Sequence, residues 1–488
     1  MMHETRVPTG IPGLDEILHG GFIPRHTYLI VGSAGSGKTI LSLQWLLEGL
    51  RRGEKCLYIT LAEPESEVKR NVTGFGWSLN GLDLLDLSPS GEPDEFEDGE
   101  YQVFTPSEVE RIPIWRSIYR AVQEKQPRRM VIDSITQLRY LSTDEYQFRK
   151  HILGLVAFLR RRGCTALLTF EPAEIEREAS VALAVDGICR LRHEVSSGRV
   201  IGLRSLQVEK LRGSDFMSGL HPLRITERGI LIFPHYIERP DGAQPAQTPF
   251  SSSQPQLDEL LGGGIESGTT TIISGHSGTG KSSLGMQFLA TAIAAGERAV
   301  LYTFEEPVAF ILARSRGIGI PVDEALASGS LRIIRVNSME LYPDEFLYLL
   351  REAVEQENRR VVMIDSLRGY NLAMEQFGSL TAHLQNLVTY CQRQAVTVFL
   401  TSEVEQIIGG LQLTELGISY LFDNVIMLRY AEVDGRLIRV ISCLKKRLGH
   451  AQSELCELRI TQQGLQVGEK LERMRGVLTG TPTREIQP

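Results

Sequence analysis

Two short segments carry the residue types that grip a polyphosphate. Gly32-Ser33-Ala34-Gly35-Ser36-Gly37-Lys38-Thr39 and Gly275-His276-Ser277-Gly278-Thr279-Gly280-Lys281-Ser282 both fit G-x-x-x-x-G-K-[ST], 243 residues apart. Glycines let successive backbone N–H groups turn inward onto one phosphate. Lys38 and Lys281 are placed to reach the β- and γ-phosphates, and the hydroxyls of Thr39 and Ser282 to ligate Mg²⁺. ATP and Mg²⁺ are therefore the expected cofactors.

Such a loop works only between a strand and a helix, whose positive N-terminal end adds to the anion site. Apolar strand-like runs precede both copies, from Thr27 to Val31 and from Thr270 to Ile273. Helical patterns follow, from Ile40 to Gly49 and from Ser283 to Ala295. The repeat is wider than the loop. Leu14 to Gly21 aligns with Leu257 to Gly264, and Tyr58 to Pro64 with Leu301 to Pro307, at the same offset. An aspartate-ended strand, Met130 to Ser134, aligns with Val362 to Ser366 at an offset of 232. The first half thus holds eleven more residues in between, where the acidic stretch Glu92 to Glu100 reads as an exposed insertion. Duplicated domains, not short solenoid units, explain a period this long.

Apolar runs alternate with helical patterns in both halves, as at Thr165 to Phe170 and Val396 to Thr401. That alternation predicts an α/β fold, a mostly parallel sheet flanked by helices, twice over. The expected layout is a first domain over 4–238, a Pro-rich linker over 239–249, a second domain over 250–470 and a short tail over 471–488. Ile230 to Ile237 reads as the last strand of the first domain.

The 488 residues are 42% hydrophobic and 23% charged, with a net charge of −8. This is a globular composition whose overall field does not attract nucleic acid or anionic membrane. No apolar run has the length of a membrane span, and Met1 to Pro8 lacks the apolar core of a signal peptide. The six cysteines show neither C-x-x-C nor zinc-like spacing, and read as core residues in a reducing, cytoplasmic setting.

Carboxylates follow at strand ends. Asp133 and Asp365 stand where nucleotide-hydrolysing P-loop proteins keep a carboxylate for Mg²⁺ or its waters. Glu305 and Glu306 end the run from Ala299 to Phe304, where a carboxylate can activate a water beside the γ-phosphate. The first half has Ala62 and Glu63 at those positions. One carboxylate is missing there, so the two sites are expected to differ chemically, with hydrolysis by the first in question.

Taken together, these motifs resemble the KaiC family, duplicated RecA-like ATPases related to the cyanobacterial clock protein. The resemblance spans nearly the whole chain. It rests on the Leu-Asp-x-x-Leu-x-Gly-Gly lead-ins, both P-loops, Thr303-Phe304-Glu305-Glu306, Ile132-Asp133-Ser134 and Ile364-Asp365-Ser366. Lys210-Leu211-Arg212-Gly213-Ser214, Gly229 to Pro234 and Gly480-Thr481-Pro482-Thr483-Arg484 add to it. It implies two tandem RecA-like domains, a homo-hexameric ring and ATP at subunit interfaces. It also implies that Lys210, Arg212, Lys445 and Arg447 reach a neighbour's nucleotide, and that Arg204 and Arg439 are arginines acting in trans.

The family's second domain phosphorylates itself on two adjacent hydroxyl residues. Counted back from Asp423, which opens the run to Tyr430, those positions are Ser419 and Tyr420 here, with Thr414 a further hydroxyl nearby. Ser419 is the expected phosphoacceptor, with Glu305 as its candidate base. The first half has Ala182 at that position. After Arg447, Leu448-Gly449 replaces the family's Gly-Ser. The family's longer C-terminal tail does not follow residue 484, which argues against an oscillator role.

The sequence therefore predicts a Mg²⁺-dependent ATPase with serine autokinase activity, a ring switched by nucleotide and phosphorylation that signals to a protein partner. A RecA-like DNA motor is the alternative, for which basic clusters such as Arg160 to Arg162 and Lys445 to Arg447 are candidate contacts. A scaffold that binds ATP without turnover is a third reading.

Overall fold

A computed structural model describes residues 6–89, 111–140, 145–171, 179–195, 202–237, 249–374, 377, 379–404, 418–433, 435–452, 454–471, 474–475 and 483–484. The chain divides into two compact units, Met1–Tyr236 and Ile237–Pro488. Thr414, the acidic stretch Glu92 to Glu100 and nearly all of the expected linker lie outside the described residues.

The first unit is built on a nine-stranded sheet. Its strands are β1 (Thr27–Gly32), β2 (Cys56–Thr60), β3 (Asp83–Asp86), β4 (Arg129–Asp133), β5 (Thr165–Phe170), β6 (Gly187–Val195), β7 (Gly202–Leu211), β8 (His221–Thr226) and β9 (Gly229–Ile232), in the order β3-β2-β4-β5-β1-β6-β7-β8-β9. From β3 to β6 the pairing is parallel; from β6 to β9 it is antiparallel. Parallel strands covered on both faces are apolar throughout, and all six residues of β1 are buried. Successive residues serve opposite faces. Tyr28, Ile30 and Tyr58 join one core cluster, while Leu29, Val31, Leu57 and Ile59 join the other.

The second unit begins with a two-stranded ribbon, β10 (Pro249–Phe250) against β11 (Ile265–Glu266). It then repeats the sheet with β12 (Thr270–Gly275), β13 (Ala299–Thr303), β14 (Leu331–Arg335), β15 (Val361–Asp365), β16 (Thr397–Glu403), β17 (Asn424–Val433), β18 (Arg436–Lys446), β19 (Cys456–Thr461) and β20 (Gly464–Lys470). Their order, β14-β13-β15-β16-β12-β17-β18-β19-β20, reproduces the first sheet strand for strand. The α/β class and the duplication expected from the sequence are both present.

Local boundaries differ from expectation for physical reasons. Both helices after the P-loops start earlier than their apolar pattern, at Lys38 and Lys281, because the motif's own lysine opens the first turn. The strand expected from Ile230 to Ile237 stops at Ile232. Pro234 has no N–H to continue a ladder, and Phe233 N–H instead bonds the Pro222 carbonyl. The antiparallel extension of each sheet was not foreseen, and the cations that the resemblance assigns to a neighbour's nucleotide lie on β7 and β18 or one residue beyond them.

Candidate functional site

In a parallel sheet, ligand groups gather where the strands end, at their carboxyl tips. The first P-loop leaves the tip of β1 and the second the tip of β12. Gly35 and Gly37 have φ of 73° and 107°, and Gly278 and Gly280 have 78° and 104°. A side chain at these positions would be strained, so the loops need glycine to keep their inward turn. A Cβ added at Gly280 would also come within 3.1 Å of Ile460 Cδ1.

The lysines fold back over their loops. Lys38 Nζ donates to the carbonyls of Gly32 at 2.6 Å and Ser33 at 3.1 Å, and Lys281 Nζ to that of His276 at 2.8 Å. Burial lowers the Lys281 ammonium from its ordinary range, opposed by the carboxylates of Glu403, Asp365 and Glu305. A bound polyphosphate would offset that burial, since an anion favours the charged ammonium. Ser36 Oγ is buried in the first loop without a hydrogen-bond partner. Positive-φ glycines, a desolvated lysine and an adjacent hydroxyl–carboxylate pair make a donor set that fits a magnesium nucleotide.

The aspartates sit beside the loops because β4 and β15 end two strands away from β1 and β12. Thr39 Oγ1 donates to Asp133 Oδ2 at 2.6 Å, and Thr169 Oγ1 to Oδ1 at 2.6 Å. Thr401 Oγ1 donates to Asp365 Oδ1 at 2.5 Å in the same way. Asp133 also accepts from Tyr58, whose O–H reaches Oδ2 at 2.9 Å. Burial pushes that phenol well above its ordinary value, and the Asp133 charge adds to the effect. The repeat puts Leu301, which has no hydroxyl to donate, at this position in the second site.

In the second unit a cavity of about 290 Å³ is lined by Lys281, Ser282, Glu305, Glu306, Asp365 and Glu403, among others. The expected carboxylates thus meet the P-loop in one space. Glu403 and its counterpart Glu171 were not singled out from the sequence. Glu171 lies 3.3 Å from Lys38 Nζ as an ion pair. Glu403 ends β16 and Glu171 directly follows β5, the strands next to the P-loop strands, and the shared offset of 232 was the signal that could have found them. In the first unit Glu63 turns its carboxylate to Asn71, whose Nδ2 donates to Oε2 at 3.1 Å.

The remaining cations lie on the antiparallel extension, and its register locates them. Leu211 pairs with Gly187, which pairs with Tyr28, so Lys210 and Arg212 lie where β1 begins, away from their own P-loop. Lys210 Nζ donates to the carbonyls of Ala182 at 2.8 Å and Val185 at 2.7 Å, and Arg212 to that of Leu183 at 2.9 Å. The second unit matches bond for bond. Lys445 Nζ donates to the carbonyls of Ser419 at 3.2 Å and Phe422 at 2.7 Å, and Arg447 to that of Tyr420 at 3.2 Å. Burial lowers both lysine ammoniums, and the neighbouring arginine, Arg212 or Arg447, lowers them further. Arg204 and Arg439 are at the other end of the same strands. Their Nε atoms donate to P-loop carbonyls of their own chain, Gly35 at 3.3 Å and Gly278 at 3.2 Å. Within the chain, then, each of these six cations has work of its own.

Ser419 stands in a single 3₁₀ turn, Ser419–Leu421, before β17, whereas Glu305 follows β13 at the opposite end of the sheet. The sequence reading paired them as acceptor and base; within one chain a strand's length separates them, about 15 Å or more at ~3.3 Å per residue. The Arg160 to Arg162 cluster, the candidate DNA contact, is partly used by the fold. Arg160 donates to Asp186 Oδ1 at 2.6 Å, and Arg162 lies over the Phe158 ring. No helix among the described residues is long and apolar enough to cross a membrane.

Comparison with known proteins agrees with this architecture. The family model described as "ATPase: KaiC" matches residues 7–236 and again 251–472. The chain is 28% identical to circadian clock protein KaiC3 of Synechocystis sp., over 99% of this chain and 95% of that protein. It is 29% identical to circadian clock oscillator protein KaiC of Acaryochloris marina and to that of Synechococcus elongatus, in each case over 98% of this chain and 92% of the relative. Two P-loop sites on two copies of one sheet, matched twice by one family model, place the chain in the KaiC family of ATPases.

Proposed function

We propose that this protein binds MgATP in both domains and hydrolyses it in the second, as a nucleotide-driven signalling ring. The observation that carries this reading is the second-site cavity, in which Lys281, Ser282, Glu305, Glu306 and Asp365 meet. Lys281 would hold the β- and γ-phosphates; Ser282 and Asp365 would hold Mg²⁺ and its waters. The metal, when bound, neutralises charge on the phosphoryl oxygens. Glu305 takes a proton from water as that oxygen bonds the γ-phosphorus. The bond from that phosphorus to the β–γ bridging oxygen breaks, ADP leaves with the electron pair, and Glu305 returns its proton to solvent. In the first site Lys38, Thr39 and Asp133 suit binding, but Ala62 leaves no carboxylate at the position of Glu305, so ATP turns over slowly there and acts mainly to stabilise the assembly.

Ser419 is the proposed phosphoacceptor. Because it lies at the opposite end of its own sheet from Glu305, the phosphoryl group comes from ATP on a neighbouring copy. That geometry supports a ring, homo-hexameric as the family resemblance implies, with Lys445 and Arg447 at the same sheet end as Ser419. Lys210 and Arg212 are the matching pair of the first domain. The ring works in the cytoplasm, and its phosphorylation state is read by a protein partner.

The test is incubation with γ-labelled ATP and Mg²⁺, following label on protein and in free phosphate. Label on the wild type that vanishes in Ser419→Ala supports the autokinase reading. Free phosphate without protein label leaves an ATPase alone. Repeating the assay with single-stranded DNA addresses the DNA motor, which requires salt-dependent binding and stimulated turnover.

A further inference from the structure

The two domains carry the same shell around their P-loops, so the molecule supplies its own comparison. At the offset of 243, Ala62 corresponds to Glu305, Glu63 to Glu306 and Asn71 to Arg314. In the first domain Asn71 Nδ2 donates to Glu63 Oε2 at 3.1 Å. In the second, Arg314 Nη1 donates to Glu306 Oε1 at 2.7 Å, and the neutral hydrogen bond has become an ion pair. The donors sit alike, on the helices Glu65–Thr73 and Val308–Gly317 that follow β2 and β13. Arg314 lines the nucleotide cavity together with both glutamates. At these three positions the second site therefore differs from the first by one added acid and one added base.

Two neighbouring carboxylates facing a polyphosphate repel it and each other. A single glutamate, as in the first domain, needs no cation, and a neutral asparagine suffices to orient it. A glutamate pair does need one. Arg314 meets that need at close range, through the Nη1 that donates to Glu306 Oε1. The cation and Glu306 are thus bound as a unit, and losing either leaves the other uncompensated in a partly desolvated site.

We infer that Arg314 is a positioning residue of the second site, which ties Glu306 into an ion pair and leaves Glu305 as the one carboxylate available as base. The inference rests on the proposed hydrolysis at that site. It also makes Glu306 a charge partner instead of a second base.

Steady-state phosphate release by the full chain tests it, with Glu305→Gln, Glu306→Gln, Arg314→Asn, Arg314→Lys and the double variant Glu306→Gln/Arg314→Asn. Asparagine is the residue that the first domain already accommodates at this place, so Arg314→Asn suits the fold. Arg314→Asn and Glu306→Gln are each expected to lower kcat at least tenfold with KM unchanged within twofold. Arg314→Lys should recover to within threefold of wild type, and so should the double variant, because both restore charge balance around Glu305. Single variants at the wild-type rate overturn the inference; so does a double variant no better than the worse single, or a lysine no better than asparagine. Glu305→Gln distinguishes the levels. If it abolishes phosphate release while Arg314→Asn is silent, only this inference fails; if it leaves release unchanged, the hydrolytic reading fails and takes the inference with it.

Discussion

Ser419 lies before the first residue of β17, where the strands of the second sheet begin, and Glu305 follows β13, where they end. The acceptor and base that the sequence suggested as partners therefore face opposite ends of one domain. Their partnership needs two chains.

Phosphorylation at Ser419 is accordingly expected to be intermolecular. Lys281→Ala, which cannot hold ATP in the second site, and Ser419→Ala, which has no acceptor, should each stay unlabelled alone. Mixed and allowed to exchange subunits, they should yield label on the Lys281→Ala chain, read by gel shift after tagging one of the two. A mixture without label would remove the trans reading.

The two sites are expected to answer differently to loss of the glutamates that follow β2 and β13. General bases contribute about 10²–10⁴ in rate, so Glu305→Gln should lower phosphate release by about 100-fold. Glu63→Gln, at a site with no partner carboxylate and its side chain held by Asn71, should change release less than twofold. Equal losses would show that both sites hydrolyse ATP.

Tyr58→Phe keeps the ring in its core cluster and deletes only the hydroxyl donated to Asp133. A hydrogen bond to a charged acceptor contributes more than a neutral one, and Thr39 remains on the same oxygen. Urea unfolding of the first domain should shift by about 1–2 kcal/mol. Tyr302→Phe, which loses a bond to the Leu349 carbonyl at 3.2 Å, should cost the second domain less. A Tyr58→Phe effect no larger than that of Tyr302→Phe would show that Asp133 does not depend on the phenol.

Stability should fall on the alkaline side. Burial pushes the thiols of Cys56 and Cys189 up to about 12, and raises the phenols of Tyr28, Tyr58, Tyr302 and Tyr390 above their ordinary value of 10.0. A group whose folded value is raised stabilises fully below its unfolded value, and that stability is lost as pH rises toward the folded one. Between those values the native state binds more protons than the unfolded chain. Tm should therefore hold steady to about pH 8.5, near the unfolded thiol value, and then decline through pH 12. A flat Tm up to pH 11 would contradict the burial of these groups.

Much of this was written locally in the chain. Both P-loops were legible because their glycine positions, lysine and hydroxyl are adjacent in sequence and their geometry is set by a single turn between a strand and a helix. The duplication was legible because it repeats at fixed offsets. Asp133 and Asp365 were legible because apolar strands point to them. Glu171 and Glu403 were not, since each stands at the tip of an ordinary strand and becomes a P-loop neighbour only through the order β5-β1 and β16-β12.

The sequence by itself determined the class of chemistry, the number of sites and the inequality between Ala62 and Glu305, because those depend on residue identity. Only the tertiary structure decided which end of the sheet each group occupies. The antiparallel turn at β6–β7 and at β17–β18 carries the chain back along its own sheet. It thereby puts Arg204 and Arg439 on their own P-loops, and Lys210, Arg212, Lys445 and Arg447 at the far end beside Ala182 and Ser419. The helix after β13 sets Arg314 on Glu306, eight residues away along a loop and helix. Strand direction and sheet order are collective choices of the folded core, and no local motif records them.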